Sequence, residues 1–99
     1  MMHVDLIHKA LANPLRREIL AWLKRPDLEF AQERIAFAHG VPLNAIQARS
    51  GLSQSTVSAH VSSLVNAGLL VPVRFGQFVF LSRNEEIIDA FVTYMDRGL

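Results

Sequence analysis

The sequence predicts a mainly α-helical domain that carries one small β-hairpin. Three observations point there. Apolar residues recur at three- and four-residue spacings along most of the 99-residue chain. That period gives way to β-rich runs only between Leu69 and Leu81. Three good helix-capping residues, Asn13, Ser53 and Asn84, stand directly before periodic runs. A chain of this length supports one domain, residues 1–99.

The elements follow in order. Residues 3–12 place Val4, Ile7 and Leu11 on one stripe, with Leu6 and Ala10 beside it, which predicts a first amphipathic helix. Asn13 then caps a second helix whose first position suits Pro14; Leu15, Ile19, Trp22 and Leu23 form its buried side, and Pro26 should close it. Residues 27–40 read as an insertion with a partial helical turn. Its aromatics, Phe30 and Phe37, either line a small-molecule pocket or, as is more common, cover the end of the core.

Pro42 opens a short helix through Arg49, with Leu43, Ala45 and Ile46 inward. Ser50-Gly51-Leu52-Ser53 supplies a tight turn, with glycine where the backbone can take positive φ. From Ser53, residues Val57, Val61, Leu64 and Gly68 recur at spacings of four, three and four, so one stripe of the next helix faces inward. Two short helices joined by a glycine turn make a helix-turn-helix over about residues 42–67. After Ala67-Gly68, the runs Leu69–Arg74 and Gln77–Leu81 around Phe75-Gly76 predict a hairpin, about residues 69–82. Pro72 cannot donate to a ladder, so either its strand is an edge or the pairing is irregular there. Asn84 caps a last helix, about residues 84–97, with Glu85 and Glu86 in the first turn, where negative charge suits the helix dipole.

The outward face of the helix after Ser53 carries the chemistry. Gln54, Ser55, Thr56, Ser58, Ala59, His60 and Ser62 are small or polar and none is acidic. A helix laid in the DNA major groove needs such a face, because bulky side chains would hold it away from base edges that hydroxyls and amides can read. The bland reading is a serine-rich surface helix. Charge favours the first. Residues 1–33 balance, with five basic groups against five acidic; residues 34–84 hold Arg34, Arg49, Arg74 and Arg83 and no acid; residues 85–99 hold Arg97 against four acids. The acid-free half contains the polar helix, as a phosphate-facing surface requires. A hairpin directly after that helix, with Arg74 and Gln77 at its tip, is a wing able to reach a phosphate or the minor groove. The predicted nucleic-acid surface is therefore Arg49, Ser53, Gln54, Ser55, Thr56, Ser58, Ala59, His60, Ser62, Arg74, Gln77 and Arg83.

Composition sets further expectations. The chain is 51% hydrophobic and 19% charged, more apolar surface than one small core hides, which favours a homodimer. The first and last helices supply its expected interface, through Val4, Ile7, Leu11, Ile87, Ile88, Phe91, Val92 and Met95. No run approaches the roughly 18 apolar residues of a membrane span, and the start lacks a signal-peptide pattern, so a cytoplasmic protein is expected. There is no cysteine, which excludes disulfides and thiolate metal sites. No Ser/His/Asp set stands in a plausible order and no glycine-rich phosphate loop appears, so an enzyme is not expected.

Taken jointly, Ala10-Leu11-Ala12-Asn13-Pro14-Leu15-Arg16-Arg17-Glu18-Ile19-Leu20, then Gly51 to Val61 with its Ser53-Gln54-Ser55-Thr56-Val57-Ser58-Ala59-His60 core, then Ala67-Gly68-Leu69-Leu70 and the Arg74–Gln77 tip resemble the ArsR (arsenic-repressor) family of bacterial winged helix-turn-helix regulators. The match covers nearly the whole chain outside residues 27–40. It implies a homodimer that binds a near-palindromic operator in double-stranded DNA and represses its own operon until an effector releases it. It also implies that Gln54, Ser55, Thr56, Ser58 and His60 contact DNA, with Arg74 and Gln77 in the wing.

This chain departs from the family's metal sensors. Where many members place cysteines, it reads Val41-Pro42-Leu43-Asn44-Ala45, and its last helix has carboxylates but no histidine, so neither metal nor cofactor is expected. His3 and His8 sit near the amino end, where any chain with histidine third can chelate Cu(II) or Ni(II); His39 reads as a loop residue. A small-molecule effector is left open, with residues 30–37 or the dimer interface as its place. The competing function is a winged-helix protein-interaction module without specific DNA binding, since a fold does not fix its ligand.

Overall fold

The computed structural model describes residues 2–31 and 39–99. Helices α1 (Val4–Leu11), α2 (Pro14–Lys24) and the single turn α3 (Pro26–Glu29) lead to a short strand, β1 (Val41–Pro42). Helices α4 (Leu43–Ser50) and α5 (Gln54–Asn66) follow, then strands β2 (Leu70–Phe75) and β3 (Phe78–Arg83), then α6 (Glu85–Gly98). Among the described residues the sheet is three-stranded and antiparallel, in the order β1-β3-β2. This is the winged helix-turn-helix arrangement.

Local chemistry accounts for the helix boundaries. Asn13 Oδ1 accepts from the Leu15 and Arg16 amides at 2.9 and 3.3 Å, with Pro14 behind it at the first helical position. Gly51 closes α4 at φ +71°, the left-handed conformation that glycine reaches without a Cβ clash. Ser53 Oγ accepts from the Thr56 amide at 3.2 Å and starts α5; Asn84 Oδ1 accepts from the Ile87 amide at 3.2 Å and starts α6.

Helix α5 is the hub, packed against α1, α2, α4 and β2. Its Val57 and Leu64 are fully buried and Val61 nearly so, together with Ile7, Ile19, Ile46, Leu69 and Leu81. Each such side chain contributes about 1.5–3 kcal/mol relative to exposure, so the stripe fixes the rotation of α5 and thereby which face it shows to solvent.

As expected, α2 ends at Lys24, just before Pro26, and a single helical turn follows: Pro26 opens α3, because a ring that cannot continue a helix suits the first position of the next. Three expectations are corrected. The hairpin turn is Gly76-Gln77 rather than Phe75-Gly76, with Phe75 paired to Phe78 and Gly76 at φ +59°. Val41 and Pro42 add a third strand opposite Leu81 and Phe80; a two-residue strand has no period to read. Lastly, Ile7 is 0% exposed in the chain's own core and is unavailable to an interface, whereas its neighbour Leu6 is 44% exposed.

Pro72 lies on β2, which is an edge strand, as its missing N–H requires. Phe30 is buried in the core, while Phe37 and Arg34 fall outside the described residues. No residue of α6 is buried: Ile87, Ile88 and Phe91 lean on the core, Met95 is half-buried and Val92 is 59% exposed. Val4 and Leu11 are half-buried. No helix among the described residues is long and apolar enough to cross a membrane.

Candidate nucleic-acid interface

With Val57, Val61 and Leu64 turned inward, the 3.6-residue period divides the rest of α5 into three rows. Ser55, Ala59 and Ser62 form the outermost row and all are exposed. Gln54 and Ser58 lie on the flank toward the wing. Thr56 and His60 lie on the other flank, toward α2. The outermost row has nothing larger than a hydroxymethyl group, which lets a backbone approach a surface closely.

The wing-side flank is built from three elements. Gln54, Arg74 and Gln77 line one cleft of about 410 Å³ with Leu43, Asn44, Gln47, Phe78 and Val79. Strand alternation puts Arg74 on the same side of the sheet as Val79 and Leu81, facing α5. Arg74 also borders a second groove, about 330 Å³, together with Ser58 and Ser62. It therefore stands where the two meet, and no hydrogen bond or carboxylate holds its guanidinium among the described residues.

The other two arginines expected to dock phosphates are engaged by the chain itself. Arg49 Nη2 pairs with Glu29 Oε1 at 2.6 Å, its Nη1 donates to the Glu29 carbonyl at 2.8 Å, and its guanidinium lies 4.9 Å from the Trp22 ring centroid and 5.8 Å from that of Phe30. It clamps α3 to α4. Arg83 is the sharper correction. Its side chain is only 13% exposed, Nε and Nη2 donate to the two Glu85 carboxylate oxygens at 2.8 and 3.1 Å, and Nη1 donates to the Leu20 carbonyl at 3.0 Å. This pair holds the Glu85 carboxyl below the usual glutamate range, chiefly through the Arg83 hydrogen bond. Ser53 is similarly occupied: besides capping α5, its hydroxyl donates to Thr56 Oγ1 at 2.8 Å.

On the α2 flank the structure adds a residue that the sequence reading left out. Arg16 Nε donates to His60 Nδ1 at 3.0 Å and Arg16 Nη1 to the Lys9 carbonyl at 3.3 Å, across 44 positions of sequence in the first case. One signal was available: Arg16 and Arg17 occupy the first turn of α2, where positive charge opposes the helix dipole and calls for a compensating role. Asn44 and Gln47 were missed too, because only the fold carries α4 beside the wing. No group of three or more His, Asp or Glu residues suited to a metal occurs among the described residues. His39 stacks on Phe75 at 4.8 Å and His8 meets the edge of Phe91 at 5.5 Å.

Two helices joined by a glycine turn, with a hairpin beside the second, define the chain as a winged helix-turn-helix protein. Comparison with known proteins carries this further. Residues 35–74 match the family model of the IclR helix-turn-helix domain. Over 91 residues, 90% of this chain and 91% of the relative, it is 34% identical to YbzH of Bacillus subtilis (strain 168), described as an uncharacterized HTH-type transcriptional regulator. The chain belongs to the HTH-type transcriptional regulators. In fold it is similar to the crystal structure of an ArsR family transcriptional regulator, with a TM-score of 0.75 at 17% identity over 99% of this chain and 92% of that one. It is similar also to HlyU from Vibrio cholerae N16961, with a TM-score of 0.62 at 23% identity over 96% and 91%.

Proposed function

We propose that this chain is a sequence-specific, double-stranded-DNA-binding regulator of the ArsR type, acting as a homodimer that represses its own operon. The observation that carries the reading is the exposed Ser55–Ala59–Ser62 row, held outward by the burial of Val57, Val61 and Leu64 and flanked by the uncommitted Arg74. Short hydroxyl and methyl side chains let α5 sit deep in a major groove. Gln54, Ser58, Thr56 and His60 then reach base edges from its flanks, and Arg74 meets the phosphate ridge beside the groove while Gln77 at the wing tip lies over the minor groove.

Dimerisation would set the spacing. Leu6 on α1 and Val92 and Tyr94 on α6 are exposed hydrophobics beside half-buried Leu11, Phe91 and Met95, a surface that a second copy covers by two-fold symmetry. Two α5 helices so arranged read half-sites about one helical turn (~34 Å) apart. Release of the operator by an effector belongs to the same proposal.

The test is a gel shift with the duplex immediately upstream of the chain's own gene and a scrambled duplex of equal length. Preferential retention of the upstream duplex at physiological salt is expected. Equal, salt-labile retention of both would favour a protein-interaction module instead.

A further inference from the structure

We propose that Arg16 is a positioning residue that fixes His60 as an Nε2–H hydrogen-bond donor on the DNA-facing surface of α5; the proposal rests on the DNA-binding reading above. A neutral imidazole has one N–H and one bare nitrogen, and its neighbours decide which is which. Guanidinium is always protonated and has no acceptor, so Arg16 Nε can only donate. Its 3.0 Å contact with Nδ1 therefore needs the Nδ1 lone pair and leaves the proton on Nε2.

The orientation is fixed from a second side. The same planar guanidinium donates from Nη1 to the Lys9 carbonyl in the last turn of α1, so α1, α2 and α5 meet at one group. His60 is half-buried, its Nε2 has no protein partner among the described residues, and none of their buried side-chain nitrogens or oxygens lacks one. Nε2 thus opens to solvent on the flank it shares with Thr56. The groove acceptors it suits are purine N7, guanine O6, thymine O4 and phosphate oxygens. Without Arg16 the ring is free to carry its proton on Nδ1, turning the outward nitrogen into an acceptor and reversing what it selects.

The experiment has two arms. In free protein above neutral pH, long-range proton–nitrogen NMR of the His60 ring is expected to show the Nε2–H tautomer alone, and Arg16→Met to admit the Nδ1–H form. An Nδ1–H signal in the unsubstituted protein, or the same tautomer ratio in both proteins, would overturn the proposal. The unsubstituted spectrum decides even where Arg16→Met does not fold. In the second arm, Arg16→Met, His60→Ala and the double variant are titrated against the upstream and scrambled duplexes. Each single substitution is expected to weaken upstream binding by the dimer about 25-fold, about fivefold for the one hydrogen bond lost in each half-site. The double variant should be within about twofold of His60→Ala, because Arg16 acts through His60. Losses that multiply would make Arg16 an independent contact and refute the assignment; losses equal on both duplexes would place the His60 donor on a phosphate rather than on a base edge. Should the unsubstituted protein fail to tell the duplexes apart, the DNA reading falls, while the tautomer arm still decides the Arg16–His60 relation.

Discussion

Arg74→Ala separates the arginine that meets DNA from those that hold the fold. Neutralising one phosphate releases counterions worth about 0.9 in the slope of log K against log salt, so losing Arg74 from both protomers of a dimer should flatten the slope by about 1.8. Arg49 and Arg83 are paired with Glu29 and Glu85 at 2.6 and 2.8 Å, so removing either should leave the slope within a few tenths of its original value. The structural cost should appear elsewhere. Arg49→Ala loses a half-exposed ion pair and a guanidinium–ring contact, about 1 kcal/mol together, which for a chain of this size lowers Tm by about 4–8 °C. Fluorescence anisotropy with a labelled upstream duplex over a salt series, beside thermal melts, reads both effects. If Arg83→Ala or Arg49→Ala flattens the slope as far as Arg74→Ala does, or if Arg74→Ala leaves it unchanged, the division of labour drawn from these contacts is wrong.

Three further outcomes follow from particular residues. Ile7→Ala, at 0% exposure, should cost about 2–5 kcal/mol in urea unfolding, whereas Leu6→Ala should leave the fold nearly intact and weaken self-association in sedimentation; equal unfolding costs would contradict the placement. Gly40 has φ +108°, and a Cβ there would lie 2.5 Å from the Leu81 carbonyl oxygen, so Gly40→Ala should destabilise by more than about 2 kcal/mol; Gly51→Ala, at φ +71° in open space, should cost about 1, and the reverse order would refute the argument. A carboxyl held below its usual range stabilises the fold above that range and loses its effect as pH falls from there through the lowered value. Glu85→Gln should therefore lower Tm near neutrality by an amount that vanishes in acid, and a pH-independent difference would count against the Arg83 contact.

The helix-turn-helix and wing were legible because their signals are local. Caps at Asn13, Ser53 and Asn84, the glycine turn at Gly51 and the Val57–Val61–Leu64 stripe each act within one or two turns of chain, and no distant contact overrode them. What stayed hidden depends on distance. Arg49 and Glu29 are 20 positions apart and Arg16 and His60 are 44 apart, so side-chain commitments that decide which charges remain for DNA are invisible to spacing. The Arg83–Glu85 pair, two positions apart, was within reach. On α1, Leu6 and Ile7 are adjacent apolar residues and both fit the period, so spacing alone could not tell that Ile7 belongs to the core and Leu6 to the surface, while Val4 and Leu11 are half-buried. Val41–Pro42 shows the other limit, a strand shorter than any repeat.

The most direct measurement is a nitrogen–proton correlation spectrum of the labelled protein, recorded as the upstream duplex is added at physiological salt. The account predicts that perturbed amides cluster on Ser55, Ala59 and Ser62, with their neighbours along Gln54–Ser62, and on the Arg74–Gln77 wing tip. Shifts confined to α1 and α6, with α5 unmoved, would contradict it.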